Sequence, residues 1–70
     1  MDVLKVNGVE KEFADGELPA TVAELLEHLD VNAATVVAEV DGQIIQREEF
    51  GRTKLNTGQT IELMRLMGGG

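Results

Sequence analysis

The sequence predicts an α+β domain in which one main helix packs on one face of a single mixed sheet of four to five strands. Two turn pairs flanked by alternating residues, at 7–8 and 41–42, are typical of β-hairpins. One apolar stripe at helical spacing lies between them, over residues 22–29. At 70 residues the chain has room for one domain.

The first hairpin is predicted over residues 2–13. Leu4 and Val6 lie on one face of an alternating segment, and the stretch from Val9 to Phe13 alternates again. The Asn7-Gly8 pair between them is a strong hairpin signal because both residue types tolerate positive φ.

The helix is predicted to begin after Thr21. Thr21 and Glu24 have the spacing of a capping box, in which the threonine caps the first turn. The apolar side chains that follow at helical spacing are Val22, Leu25, Leu26 and Leu29. We therefore expect a short helix over about residues 22–29 that is held mainly by packing.

The second half of the chain predicts three more strands. Residues 35–40 are rich in β-branched side chains, and the Asp41-Gly42 turn leads into a short strand at 43–46. Alternation stops at 47–50, which predicts a helical turn anchored by Phe50. After a turn at 56–59, the segment 60–66 alternates as a final strand.

This order of elements, β-β-α-β-β-β, indicates how the strands are arranged. A right-handed crossover after the second strand brings the later strands back beside the first. The last strand then lies next to the first, which is the ubiquitin-like β-grasp architecture. We expect residues 1–67 to form this domain and residues 68–70 to be a flexible glycine tail.

Composition narrows the classes of function. Thirteen acidic and six basic residues give a formal net charge of −7 and a pI near 4.4. Such a surface repels phosphate backbones, so we expect no nucleic-acid binding, and it favours basic protein partners.

Sites of several other kinds are not expected. The chain has no cysteine, and His28 is its one histidine, so neither a metal site nor a bound cofactor is predicted. No stretch approaches the ~20 apolar residues of a membrane span. Nothing at the N-terminus resembles a signal peptide, and we expect a cytoplasmic domain without membrane contact.

The sequence ends in Gly68-Gly69-Gly70, directly after the predicted last strand. Glycine contributes no side chain to packing, but a glycine stalk offers a bare α-carboxylate that can enter a narrow tunnel on another protein. That carboxylate becomes a good electrophile once ATP adenylates it on a partner enzyme. The competing interpretation is a frayed terminus.

An apolar patch is predicted beside this tail. If the helix covers Ile61 and Leu63, the alternation leaves Met64, Leu66 and Val37 exposed, with Met67 next along the chain. Exposed apolar side chains near a reactive tail suit partner docking, and methionine adapts to more than one surface. The alternative is that neighbouring strands half-bury them.

The chain resembles the ThiS family of sulfur-carrier proteins over essentially its full length. No single motif is specific, but their order and spacing are. The matching segments are Val6-Asn7-Gly8, Thr21-Val22-Ala23-Glu24-Leu25-Leu26, Val40-Asp41-Gly42-Gln43-Ile44-Ile45, Arg47-Glu48-Glu49-Phe50, Ile61-Glu62-Leu63 and Gly68-Gly69-Gly70.

The resemblance implies a carrier and not an enzyme. In this family a ThiF-like enzyme consumes ATP to adenylate the terminal glycine, which becomes a thiocarboxylate and donates sulfur to a ThiG-like thiazole synthase in thiamine biosynthesis. By position, Gly70 would carry the sulfur, Gly69 would complete the diglycine and Gly68 would extend the stalk. Two alternatives stay open: a carrier for molybdopterin or sulfur amino-acid synthesis, and a ubiquitin-like modifier or binding module.

Overall fold

The structure of the chain, a computed structural model, describes residues 1–66. Within this range the predicted order β-β-α-β-β-β is confirmed. The elements are β1 (Asp2–Val6), β2 (Val9–Phe13), α1 (Val22–His28), β3 (Val36–Val40), β4 (Gln43–Ile45) and β5 (Thr60–Arg65). The domain boundary predicted at residue 67 and the flexible tail predicted at 68–70 lie outside the described residues.

The five strands form one mixed sheet in the order β2-β1-β5-β3-β4. β1 and β5 run parallel, with Lys5 beside Thr60 and Val6 beside Ile61, whereas the other neighbouring strands are antiparallel. The last strand therefore lies in the centre of the sheet, next to the first. This arrangement confirms the β-grasp prediction.

The register divides the strand residues between two faces, which we call the inner and the outer face. The inner face lies under α1, whose buried side chains Val22, Leu25 and Leu26 join the core. The strand residues buried with them are Leu4, Val6, Phe13, Val36, Ala38, Val40 and Ile61. Alternation along each strand thus places the core on one side of the sheet only.

The predicted capping box starts the helix. The Thr21 hydroxyl accepts a hydrogen bond from the Glu24 N–H at 3.2 Å, and the Glu24 carboxylate accepts one from the Ala20 N–H at 3.2 Å. The first bond satisfies the Glu24 N–H, which has no partner within the helix, and the second fixes the residue that precedes the N-cap. The helix ends at His28, one residue before the predicted end, because Leu29 is its C-cap.

Strand ends differ by one residue from the predictions for local reasons. Thr35 belongs to a 3₁₀ turn, Ala33–Thr35, in which the Asn32 side chain accepts a hydrogen bond from the Ala34 N–H. Gln46 caps a second 3₁₀ turn, Arg47–Glu49, so β4 stops at Ile45. The predicted anchor of that turn, Phe50, is buried.

Candidate functional site

The strand that leads towards the glycines, β5, is held by the side chains of both hairpin turns. Asn7 accepts a hydrogen bond from the Leu63 N–H at 2.7 Å, and Asp41 accepts one from the Thr60 N–H at 2.9 Å. β1 pairs with β5 only at Thr60 and Ile61. Asn7 therefore continues the hydrogen bonding of β5 beyond the point where β1 ends.

Both turn residues adopt a backbone conformation that suits their residue type. Asn7 and Asp41 each have φ of 50° and are followed by Gly8 at 82° and Gly42 at 85°. Two successive residues with positive φ are the mark of the hairpin turn whose twist matches the flanking strands. Asn and Asp adopt positive φ more readily than other non-glycine residues. The same side chain can therefore occupy the turn and accept the hydrogen bond from β5.

On its other side β5 is paired with β3 at every residue after Thr60. The register runs from Ile61 opposite Val40 to Arg65 opposite Val36. The Leu66 N–H then donates to the Thr35 carbonyl oxygen at 2.9 Å. The chain is thus bound to the sheet up to residue 66, while Met67, Gly68, Gly69 and Gly70 lie outside the described residues.

The structure places three of the predicted interface residues close together on the outer face. Met64, 42% exposed, lies on β5 directly opposite the half-buried Val37 on β3. Leu66 follows β5 and is 55% exposed. The fourth predicted residue, Met67, lies outside the part of the chain that the structure describes.

Ile44, which we did not predict, extends this surface. It lies on β4 next to Glu39 and is 58% exposed. The signal was present in the sequence, because a two-residue turn at 41–42 pairs Val40 with Gln43 and so turns Ile44 to the outer face. We call Val37, Ile44, Met64 and Leu66 the outer patch.

A shallow groove of about 360 Å³ borders the outer patch. Val37, Ile44 and Leu66 line one part of it, and Arg47 and Phe50 line another. The groove exists because β4 pairs with only the last three residues of β3, leaving Val36 and Val37 without a β4 neighbour. An exposed apolar surface with a groove at its border is suited to contact with another protein.

Acidic groups make up most of the remaining outer face. Glu39 on β3 and Glu62 on β5 are directly opposite each other and are half-buried. Glu10 and Glu12 on β2 share this face, where Lys5 on β1 is opposite Glu10. The sequence analysis did not single out the pair Glu39 and Glu62, although strand alternation alone turns each to the outer face.

A second groove is lined mainly by charged and polar residues. It lies between the loop at 14–20 and α1, and His28, Glu24 and Glu27 are among its lining residues. His28 is exposed and contacts the Phe13 ring edge-on, at 5.3 Å between ring centres. Residues 1–66 contain no group of three or more His, Cys, Asp or Glu side chains arranged to hold a metal ion.

In residues 1–66 no helix combines the length and the apolar character that crossing a membrane requires.

Comparison with known proteins finds a matching family and similar solved structures. The family model of the ThiS family matches residues 4–70. The crystal structure of a thiamine biosynthesis protein (ThiS) from Geobacter metallireducens is 38% identical and superimposes with a TM-score of 0.80, covering 97% of this chain and 99% of that one. The solution structure of a thiamine biosynthesis protein from the same organism is also 38% identical, with a TM-score of 0.74 and coverage of 100% and 88%.

No curated protein matches the chain. The family match nevertheless includes nearly every residue, from the first strand to the last glycine, and the solved structures agree with it in fold and in length. The chain belongs to the ThiS family.

Proposed function

We propose that this chain is a sulfur carrier whose Gly70 carboxylate becomes a thiocarboxylate and supplies sulfur for thiazole formation in thiamine biosynthesis. The observation that carries the proposal is the ThiS family match, which extends through the three glycines to residue 70. The similarity to thiamine biosynthesis proteins of Geobacter metallireducens supports the pathway.

The proposed chemistry takes place on partner enzymes. The Gly70 carboxylate attacks the α-phosphorus of ATP, pyrophosphate leaves and an acyl adenylate forms. A sulfide equivalent then attacks the carbonyl carbon, AMP leaves with the bonding electrons, and the thioacid loses a proton to give the thiocarboxylate. ATP is consumed by a ThiF-like enzyme, and the carrier binds no cofactor of its own.

The chain acts in this scheme as a co-substrate and not as a catalyst. Its contributions are a reactive end group, a stalk and a surface that partners recognise. The last described bond to the sheet is at Leu66, and the four residues from Met67 to Gly70 span at most about 13 Å when fully extended. That length suits entry into a partner's active site, and the absence of side chains at 68–70 suits a narrow one.

We assign the docking of partners to the outer patch. It is apolar, three of its four side chains are exposed, and its residues lie on or directly after β5 and on the two strands that follow β5 in the sheet, β3 and β4. The expected partners are a ThiF-like adenylating enzyme and a ThiG-like thiazole synthase. Because adenylation needs ATP, we expect the reaction in the cytoplasm.

Deletion of Gly70 tests the role of the carboxylate. The purified chain is incubated with ATP, a sulfur donor and the ThiF-type enzyme from the organism that encodes this chain. The intact mass of the chain is then measured. We expect the unsubstituted chain to exchange one oxygen for one sulfur, and the shortened chain to show no exchange because its carboxylate no longer reaches ATP. Gly68→Ala keeps the length and the final two glycines, and we expect it to retain most of the exchange.

Urea unfolding of the same proteins separates chemistry from folding. The shortened chain should unfold at the same urea concentration as the parent, since the last described contact of the chain with the sheet is at Leu66. Efficient sulfur exchange in the shortened chain would contradict the assignment of Gly70. Attachment of the chain to lysine amines would favour a ubiquitin-like modifier. If a ThiG-type enzyme does not accept sulfur from the thiocarboxylate, a carrier for molybdopterin or sulfur amino-acid synthesis would be favoured.

A further inference from the structure

The outer face brings two carboxylates together, and none of the ion pairs within residues 1–66 involves either of them. Glu39 and Glu62 are directly opposite each other on neighbouring antiparallel strands. Side chains in this relation have Cβ atoms about 5 Å apart, and like charges so placed destabilise a sheet. Both residues are half-buried, which reduces the screening of their charges by water.

The described residues provide no cation for this pair. The ion pairs within residues 1–66 join Met1 to Asp15 and Arg52 to Glu49, and neither involves the two outer-face carboxylates. Residues 67–70 contain no basic side chain. Lys5, the basic residue of the outer-face register, is itself opposite Glu10.

The carboxylate pair lies beside the outer patch. Glu62 and Met64 point to the same face of β5, and their strand partners Glu39 and Val37 share that face of β3. Ile44 is directly opposite Glu39 on the other side of β3. The carboxylate pair is therefore bordered by exposed apolar side chains, an arrangement in which a partner that covers the patch also covers the pair.

We propose that Glu39 and Glu62 together bind an arginine side chain of the adenylating partner. The partner's residues on either side of that arginine are apolar and cover the outer patch. This inference rests on the proposed function and adds the charge that the partner must present. A guanidinium offers several donors in one plane and can bond to two carboxylates at once. A second copy of this chain fits poorly, because its own net charge is −7.

Amide substitutions separate a role in binding from a role in folding. In Glu62→Gln the repulsion is removed, so we expect the melting temperature to rise by about 1–5 °C. The same change removes one acceptor for the partner's arginine, so we expect KM for the carrier to rise by about fivefold with unchanged kcat. Stability and recognition should therefore move in opposite directions.

The matched control is Glu27→Gln. Glu27 is an exposed residue of α1, on the helix that covers the inner face, and its substitution changes the net charge by the same amount. We expect its KM to equal that of the parent. Carrier-dependent exchange of pyrophosphate into ATP, measured with the ThiF-type enzyme of the same organism at low and high salt, gives KM and kcat.

A charge reversal gives a stronger version of the test. Glu62→Lys places a cation opposite Glu39, which should stabilise the domain further while opposing the partner's arginine. We expect the largest rise in KM from this variant, together with an increase in melting temperature. High salt should reduce the difference between this variant and the parent.

Three results would overturn the proposal and leave the sulfur-carrier function standing, and a fourth would overturn both. One is an equal KM for Glu62→Gln, Glu62→Lys and Glu27→Gln while the parent chain supports pyrophosphate exchange. Another is a lower melting temperature for both Glu62 variants, because the carboxylate would then serve the fold. Self-association of the parent that Glu62→Lys abolishes would assign the face to a second copy. A parent chain that supports no exchange at all contradicts the proposed function, and the inference falls with it.

Discussion

The two faces of the sheet in this domain are built from the same five strands and have opposite physical characters. Inner-face side chains such as Leu4, Ala38 and Ile61 are completely buried under α1. On the outer face, Met64 and Ile44 are exposed, and Glu39 and Glu62 are opposed. The inner face therefore supplies the stability of the domain, and the outer face keeps features that do not stabilise it.

This difference matters because the domain is small. A chain of this length buries only about 60% of its unfolded surface, and its margin of stability is correspondingly narrow. Exposed apolar side chains on the outer face reduce solubility, and like charges there reduce stability. Neither feature stabilises the fold. Their presence is best explained by contact with a partner, and substitutions on the two faces should separate accordingly.

The largest expected effect comes from Ile61→Ala on the inner face. Ile61 is fully buried in the centre of the sheet, and its truncation removes apolar contacts and leaves a cavity. We expect the free energy of unfolding to fall by about 3–4 kcal/mol, measured by urea denaturation. Ile61→Val should lower the free energy of unfolding by about 1 kcal/mol, so this variant stays folded enough for the measurement.

The matched change on the outer face is Met64→Ala, on the same strand. Met64 is 42% exposed, so its truncation should change the free energy of unfolding by less than about 1 kcal/mol. Similar losses for Ile61→Ala and Met64→Ala would contradict the division of the sheet into a stabilising and a non-stabilising face.

An intermediate effect is expected at Asn7, which joins the first hairpin to β5. Asn7→Ala removes the acceptor for the Leu63 N–H and places alanine at φ of 50°. The two costs together should lower the free energy of unfolding by about 2 kcal/mol. Asn7→Asp keeps both the acceptor and the tolerance for positive φ, so it should lose much less.

Hydrogen exchange would show where the effect of Asn7→Ala arises. The Leu63 amide should lose protection more than the Ala38 amide, which lies in the neighbouring strand β3. Equal loss of protection throughout the sheet would mean that Asn7 acts on the whole domain and not on the alignment of β5.

Much of the fold follows from local sequence signals. Both hairpins were predictable because Asn7-Gly8 and Asp41-Gly42 determine turn type and register, and the register then assigns the residues of β1 to β4 to a face. The start of the helix followed from Thr21 and Glu24, whose capping bonds are formed. The 3₁₀ turn at Ala33–Thr35 was missed because it depends on one Asn32 side chain bonding two residues ahead.

The candidate site was less predictable because it depends on neighbours across strands. Val37, Met64 and Leu66 could be placed from alternation in single segments. The opposition of Glu39 and Glu62 requires the exact pairing of β3 with β5, two strands separated by 19 residues of chain between Val40 and Thr60. Side-chain bonds from Asn7 and Asp41 to β5 also arise only once the strands are assembled.

The smallest effect on stability is expected from Ile44→Thr, and it gives the sharpest test of the outer face. Threonine is β-branched like isoleucine and suits a strand, and Ile44 is 58% exposed. The free energy of unfolding should therefore change by no more than about 0.5 kcal/mol. If the outer patch docks the adenylating enzyme, the loss of apolar contact should raise KM for the carrier by about three- to tenfold.

The control for Ile44 is Val9→Thr. Val9 is also 58% exposed and β-branched, but it lies on β2, at the opposite edge of the sheet from β4. Both substitutions place threonine at an exposed apolar strand position, but Val9 is opposite Val6 in the inner-face register and lies outside the outer patch. An equal KM for both variants would show that exposed apolar area in general and not the outer patch matters to the partner. A rise in KM for Ile44→Thr alone would tie recognition to the outer patch, on the face that the fold does not need.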